Sequence, residues 1–99
     1  MEDPRLKLNE NGRGAFYILD GNDQIAEMDI GISAGKLTAY HTEVMAKAEG
    51  KGLAKILLNS MAAYARKNGL KVIALCPFVL AQFRRHPLEY DDVWYKPVI

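Results

Sequence analysis

Three groups of side chains in this sequence have types and spacings suited to chemistry. The first is Gly50-Lys51-Gly52, flanked by Lys47 and Lys55, at the point where an extended stretch gives way to an amphipathic one. A helix leaves its first N–H groups without internal partners and carries partial positive charge at that end. A Gly-x-Gly turn leading into a helix is therefore a seat for phosphate. Lysines at that end oppose the dipole, so a helix built for stability alone avoids them, and Lys47, Lys51 and Lys55 point to a bound anion. The plain alternative is a turn into a helix with a solvated lysine face. The second group is His41 and Glu43, two residues apart and so on one face of a strand. An imidazole changes charge near neutral pH and suits a general base, with Glu43 as the runner-up base or as an orienter of His41. Both suit equally well the half-exposed face of a strand. The third is Cys76, just before Pro77: a buried small hydrophobe, or a thiol made reactive by a helix N-terminus.

Positioning these groups falls to a short list of elements. Residues 5–9 read as a first strand, closed by a turn through Asn11, Gly12 and Gly14. Residues 15–19 are apolar and β-prone, a second strand, and Asp20-Gly21-Asn22-Asp23 is a hairpin turn. Residues 24–33 alternate, with Ile25, Glu27 and Asp29 on one face and Ala26, Met28 and Ile30 on the other. A turn at Ala34-Gly35-Lys36 leads to a fourth strand, 37–44. From Leu53 the apolar positions Ile56, Leu57, Met61 and Tyr64 recur at threes and fours, with Lys55, Asn59, Arg66 and Lys67 opposite. That spacing predicts an amphipathic helix over 53–68, stopped at Gly69. Residues 71–76 are nearly all apolar, as in a strand buried on both faces. Pro77 suits the first position of a second helix, 78–86, which Pro87 ends. Residues 88–99 form a tail anchored by Trp94 and Tyr95.

Tight turns make the first four strands antiparallel. The helix over 53–68 is a crossover, which makes the fourth and fifth strands parallel. The result is an α+β chain whose ligand site belongs at the carboxyl ends of those two strands, Val44 and Cys76.

Composition narrows the function. The 99 residues fit one domain, residues 1–99, and the net charge of +1 gives no general pull toward nucleic acid or membrane. One cysteine excludes an internal disulfide and cysteine-pair metal sites. No apolar run approaches the roughly 20 residues of a membrane span. Met1-Glu2-Asp3-Pro4-Arg5 lacks a signal pattern, so the cytoplasm is the expected compartment. Phe16, Tyr17, Phe78, Phe83 and Trp94 read as packing residues. Arg84 and Arg85 read as a solvated face and His86 as a helix end, with no basic–aromatic interleaving for nucleic acid.

A dinucleotide fingerprint needs a third glycine where Lys55 stands, and a P-loop needs Ser or Thr after its lysine. Neither fits. Lys47-Ala48-Glu49-Gly50-Lys51-Gly52 instead resembles the acyl-CoA turn of the GNAT superfamily of N-acetyltransferases, Arg/Gln-x-x-Gly-x-Gly/Ala, with Lys47 replacing Arg/Gln. His41-Thr42-Glu43-Val44, Leu53-Ala54, Tyr64-Ala65-Arg66, Cys76-Pro77-Phe78-Val79 and Arg85-His86-Pro87 extend the likeness. From about Asn9 to Tyr90 the chain resembles the short, single-domain GNAT-like family.

The resemblance implies acetyl-CoA (or CoA) as cosubstrate and an amine acceptor, either a protein lysine or a small amine. It implies a V-shaped splay between the fourth and fifth strands, with the pantetheine arm along Val44. The pyrophosphate would rest on the amides of Glu49, Gly50, Lys51, Gly52, Leu53 and Ala54. Lys51 and Lys55 would meet phosphate oxygens and Lys47 would give support. The acetyl thioester would lie between His41 and Cys76. Direct attack by the amine, with His41 as base, is the implied route. Cys76 is then a proton donor to the leaving thiolate, a carrier of the acetyl group, or pocket lining. The alternative is a CoA-binding module without catalysis, because about a dozen residues remain where longer GNAT enzymes wall the acceptor. A monomer or small homo-oligomer, with no metal, is expected.

Overall fold

A computed structural model describes residues 3–96. Five strands form one sheet in chain order: β1 (Arg5–Leu8), β2 (Arg13–Asp20), β3 (Asp23–Ser33), β4 (Lys36–Val44) and β5 (Lys71–Ala74). The first four pair antiparallel, and β4 pairs parallel with β5. Between β4 and β5 run a single 3₁₀ turn, Ala46–Ala48, and helix α1, Leu53–Lys67. Helix α2 (Pro77–Arg85) and the one-turn α3 (Pro87–Tyr90) follow β5. The α+β order and the parallel closing pair agree with the sequence expectation.

The helices share one face of the sheet. Leu53, Leu57, Leu58, Met61, Ala62 and Ala65 of α1 are buried against Phe16, Ile18, Met28, Ile30 and Leu37. This stripe is rotated from the one read through Ile56 and Tyr64, which are half-buried at its margin. Small Ala62 and Ala65 let the helix approach the sheet closely, a role that apolar periodicity does not register. Val79 and Phe83 of α2 join the same core, with Phe83 stacked on Tyr90 at 5.1 Å.

Local chemistry explains where the boundaries move. Asn9 Oδ1 accepts the amides of Asn11 and Arg13, so β2 starts at Arg13 rather than Ala15. β5 stops at Ala74, not Cys76, because the amides of Leu75 and Cys76 both turn onto the carbonyl of Ala39. Pro87 ends α2 and also opens α3, a turn absent from the sequence reading. Trp94 and Tyr95 do anchor the tail: Val72 donates to Val93 and accepts from Tyr95. No helix among the described residues is long and apolar enough to cross a membrane.

The polar side of α1 does not simply face water. Tyr90 Oη donates to Asn59 at 2.8 Å, and Arg66 Nε bonds Asp92 at 2.6 Å. The Arg66 bond holds the Asp92 carboxyl below the usual carboxylate range, against a smaller opposing effect of burial. A depressed folded-state value stabilises the fold above the unfolded value of about 3.9, and that contribution disappears as pH falls through the lower folded value. Asp92→Asn is therefore expected to lower the melting temperature slightly at pH 7, as a solvent-screened pair should. The difference from wild type should close as pH drops below about 4, and thermal melts across pH 3–7 check it. A gap that widens in acid would contradict the assignment.

Candidate active site

The site begins with an irregularity in β4. Asp29 pairs with His41, but the next residue of β3, Ile30, pairs with Ala39, leaving Tyr40 as the extra residue of a bulge. A one-residue shift moves every following side chain to the other face. Leu37 and Ala39 face the core before the bulge. After it, Thr42 and Val44 share the face of Met28 and Ala26, while His41 and Glu43 share the opposite face with Asp29 and Glu27. No helix among the described residues packs on that opposite face.

The bulge also marks where β4 and β5 part. Their register ends at Ala39↔Ala74, five residues before β4 itself ends. The Met45 amide donates to Ile25 across the sheet. By the two-residue period, the amides of Thr42 and Val44 point the other way, into the gap. The expected splay is thus present, and its open edge is the backbone of β4 beyond Ala39.

At the wide end of the gap lies the glycine turn. Gly50 (φ 81°) and Gly52 (φ 73°) both occupy left-handed backbone space that favours glycine. Gly52 caps α1 without any side-chain hydrogen bond to the helix. The first intrahelical bond runs from Ile56 to Gly52, so the amides of Leu53, Ala54 and Lys55 lack helical partners. No acidic residue occupies the first turn of α1. A hollow of about 250 Å³ opens there, lined by Val44, Ala48, Glu49, Gly50, Gly52, Leu53 and Ala54. Of these, only Ala48 was absent from the sequence candidates; it is a buried alanine with no chemical signal of its own.

The three lysines diverge. Lys47 pairs with Asp23 at 2.8 Å, tying the turn to the β2–β3 hairpin. That bond and charge hold the Asp23 carboxyl down and the Lys47 ammonium up. Lys55 donates to Gln82 at 3.2 Å, toward α2, with Glu89 at 3.9 Å. Lys51 is exposed beside the hollow.

Cys76 caps α2 and is buried, 2% exposed. Its thiol lies 3.3 Å from Thr42 Oγ1, not beside His41. His41 and Cys76, expected to flank the thioester, stand on opposite faces of β4, and the residue beside the thiol is Thr42. His41 is exposed on the open face with Glu43, and Asp29 and Glu27 stand across the ladder. There the Asp29 carboxyl is pushed up, by burial first and by Glu27 next, while His41 and Arg13 draw it back.

These features coincide with known proteins. The family described as GCN5-related N-acetyl-transferase matches residues 15–93. A GCN5-like protein from Staphylococcus aureus, solved in solution, is 31% identical, with a TM-score of 0.71 over 99% of this chain and 94% of that one. The crystal structure of a ribosomal-protein-alanine N-acetyltransferase from Brucella melitensis biovar Abortus 2308 has a TM-score of 0.63 over 92% of this chain and 66% of that one. At 16% identity it speaks to the fold alone. No curated protein matches significantly.

Proposed function

Because the chain belongs to the GCN5-related N-acetyltransferase family, we propose that it transfers an acetyl group from acetyl-CoA to an amine by direct attack on the thioester. The observation that carries this reading is the hollow on the glycine turn, placed where β4 and β5 part. Backbone amides there suit a pyrophosphate, and of the residues lining the hollow only Glu49, ahead of the helix, carries a charge that opposes it. The amides of Thr42 and Val44 suit the amide-bearing pantetheine arm, and one of them would polarise the thioester carbonyl as its oxygen gains charge.

In this reading the gap in the sheet joins two half-sites. The donor lies on the helix side, near Thr42 and Cys76. The amine comes from the open face, where His41 stands. An alkyl ammonium has a pKa of about 10 and cannot attack until it loses a proton. His41, directly or through one water, takes that proton. The freed lone pair forms the new N–C bond as the C–S bond breaks. The amine's second proton ends on the leaving sulfur, through Cys76 or water.

Calorimetry with acetyl-CoA, paired with an acetyl-transfer assay on an amine panel, tests the function. Absence of CoA binding would remove it. Tight binding without transfer to any amine would favour a CoA-binding module, the reading suggested by the uncovered face of the sheet. The covalent route through Cys76 is separable. Under direct attack, Cys76→Ala keeps measurable turnover and intact-mass spectra show no acetylated protein. Complete loss of turnover, with acetyl trapped on Cys76 in the wild type, would establish the covalent route instead.

A further inference from the structure

The open face holds a carboxylate whose placement the reaction as described does not use. Asp29 is the direct cross-strand partner of His41. Because the Met45 amide faces β3, the backbone of His41 faces β3 too. Positions 29 and 41 thus form a hydrogen-bonded pair, with Cα atoms about 5.5 Å apart and side chains abreast on one face. The pair is held by two ladder strands and not by a loop. Two other carboxylates are near: Glu27, which shares a side-chain hydrogen bond with Asp29, and Glu43. Glu43 is two residues along β4, about 6.6 Å from His41 at 3.3 Å per residue. Glu27 lies opposite Glu43, and Gln24 Nε2 donates to it at 2.9 Å.

We propose that Asp29 is a positioning residue for His41: fixed across the β3–β4 ladder, its carboxylate orients the imidazole and balances the charge the imidazole gains on taking the amine's proton. This rests on the reading of His41 as the base. Asp29 itself forms and breaks no bond. The proton stays on the imidazole until solvent removes it.

The neighbouring groups bear on the same balance. Arg13 of β2 lies over the Tyr40 ring at 4.3 Å and draws the Asp29 carboxyl down. Burial pushes it up first, then Glu27 on β3 through its charge and a side-chain hydrogen bond, while His41 draws it down. Glu43 of β4 adds negative charge beside His41, and Lys7 of β1 lies over Tyr17, at the far side of the patch. Removing the imidazole should therefore be felt at Asp29, and removing the carboxylate should be felt in the reaction.

Two measurements test the pair. In the first, the full pH–rate profile is compared for wild type, Asp29→Asn, Asp29→Glu and His41→Gln. Asp29→Asn is expected to lower kcat/KM for the amine about ten-fold, the effect of one carboxylate at this distance in a half-exposed site. The loss should fall on kcat more than on KM for the amine, because the variant disturbs the imidazole and not the docking of the acceptor. Acetyl-CoA affinity by calorimetry should not change, and Asp29→Glu should recover part of the loss. A wild-type profile in Asp29→Asn, with His41→Gln inactive, would overturn the proposal and leave His41 as base. Full turnover in His41→Gln would instead overturn the base assignment, and the positioning role of Asp29 with it. The second measurement needs no activity: the Asp29 carboxyl is titrated by NMR in wild type and His41→Gln. A rise in its midpoint in the variant supports the pairing, and an unchanged midpoint overturns it even if Asp29→Asn does not fold.

Discussion

His41→Gln is expected to lower kcat for amine acetylation by about 10²–10⁴-fold, the range for losing a positioned general base. Acetyl-CoA binding should survive, because the donor seat is built from backbone amides and glycines on the other side of β4. Glutamine keeps a polar side chain of similar size but cannot take a proton at neutral pH. The pH profile carries the sharper signature. Without a base, the reaction depends on the fraction of acceptor that arrives neutral, and that fraction grows ten-fold per pH unit below a pKa of about 10. The variant should keep accelerating with pH after the wild type has levelled, and the two should converge in alkali. Glu43→Gln should cost much less, since Glu43 lies one pleat further along the open face. Equal rates for His41→Gln and wild type at pH 7, measured with acetyl-CoA saturating, would mean that the acceptor loses its proton elsewhere.

The same residue shows where the sequence is mute. The fourth strand was legible from composition, and so was the pairing of His41 with Glu43 on one face. What could not be read is which face. Ala39, Tyr40 and His41 are all compatible with extended backbone, and strict alternation puts Ala39, His41 and Glu43 together. The bulge at Tyr40 breaks that alternation, and it exists only as a mismatch with β3. The thiol of Cys76 consequently meets Thr42, a residue to which the sequence assigns no chemical role. The partners of two lysines are hidden for a related reason. A charge near a helix N-terminus suggests an anion, but Lys47 and Lys55 are engaged by Asp23 and Gln82, residues distant in sequence that only the fold brings near. The glycine turn was legible because its information is local. A glycine states which backbone angles a position needs, and Gly50 and Gly52 adopt them.

That local character makes the turn open to a decisive experiment. A Cβ built on Gly50 or Gly52 meets no other atom within 4 Å. The fold therefore needs glycine at these positions for the left-handed backbone, not for space, and alanine costs about 1–2 kcal/mol of conformational strain. Asparagine tolerates that conformation better and costs less. If the hollow seats a pyrophosphate, a side chain of either kind stands in the space the ligand needs and holds it off the amides. Each charge-assisted bond lost is worth about 1.5–3 kcal/mol, so losing one or two weakens CoA binding by between about 10-fold and 10⁴-fold. Gly52→Ala and Gly52→Asn should thus differ in melting temperature while sharing the loss of affinity. Gly69 supplies the control: it has φ 66° and equally open surroundings, but lies past the other end of α1. Gly69→Ala should show the strain without the binding defect. Were calorimetry to find wild-type CoA affinity in Gly52→Asn, the glycines would be serving the backbone alone, and the pyrophosphate would have to rest elsewhere.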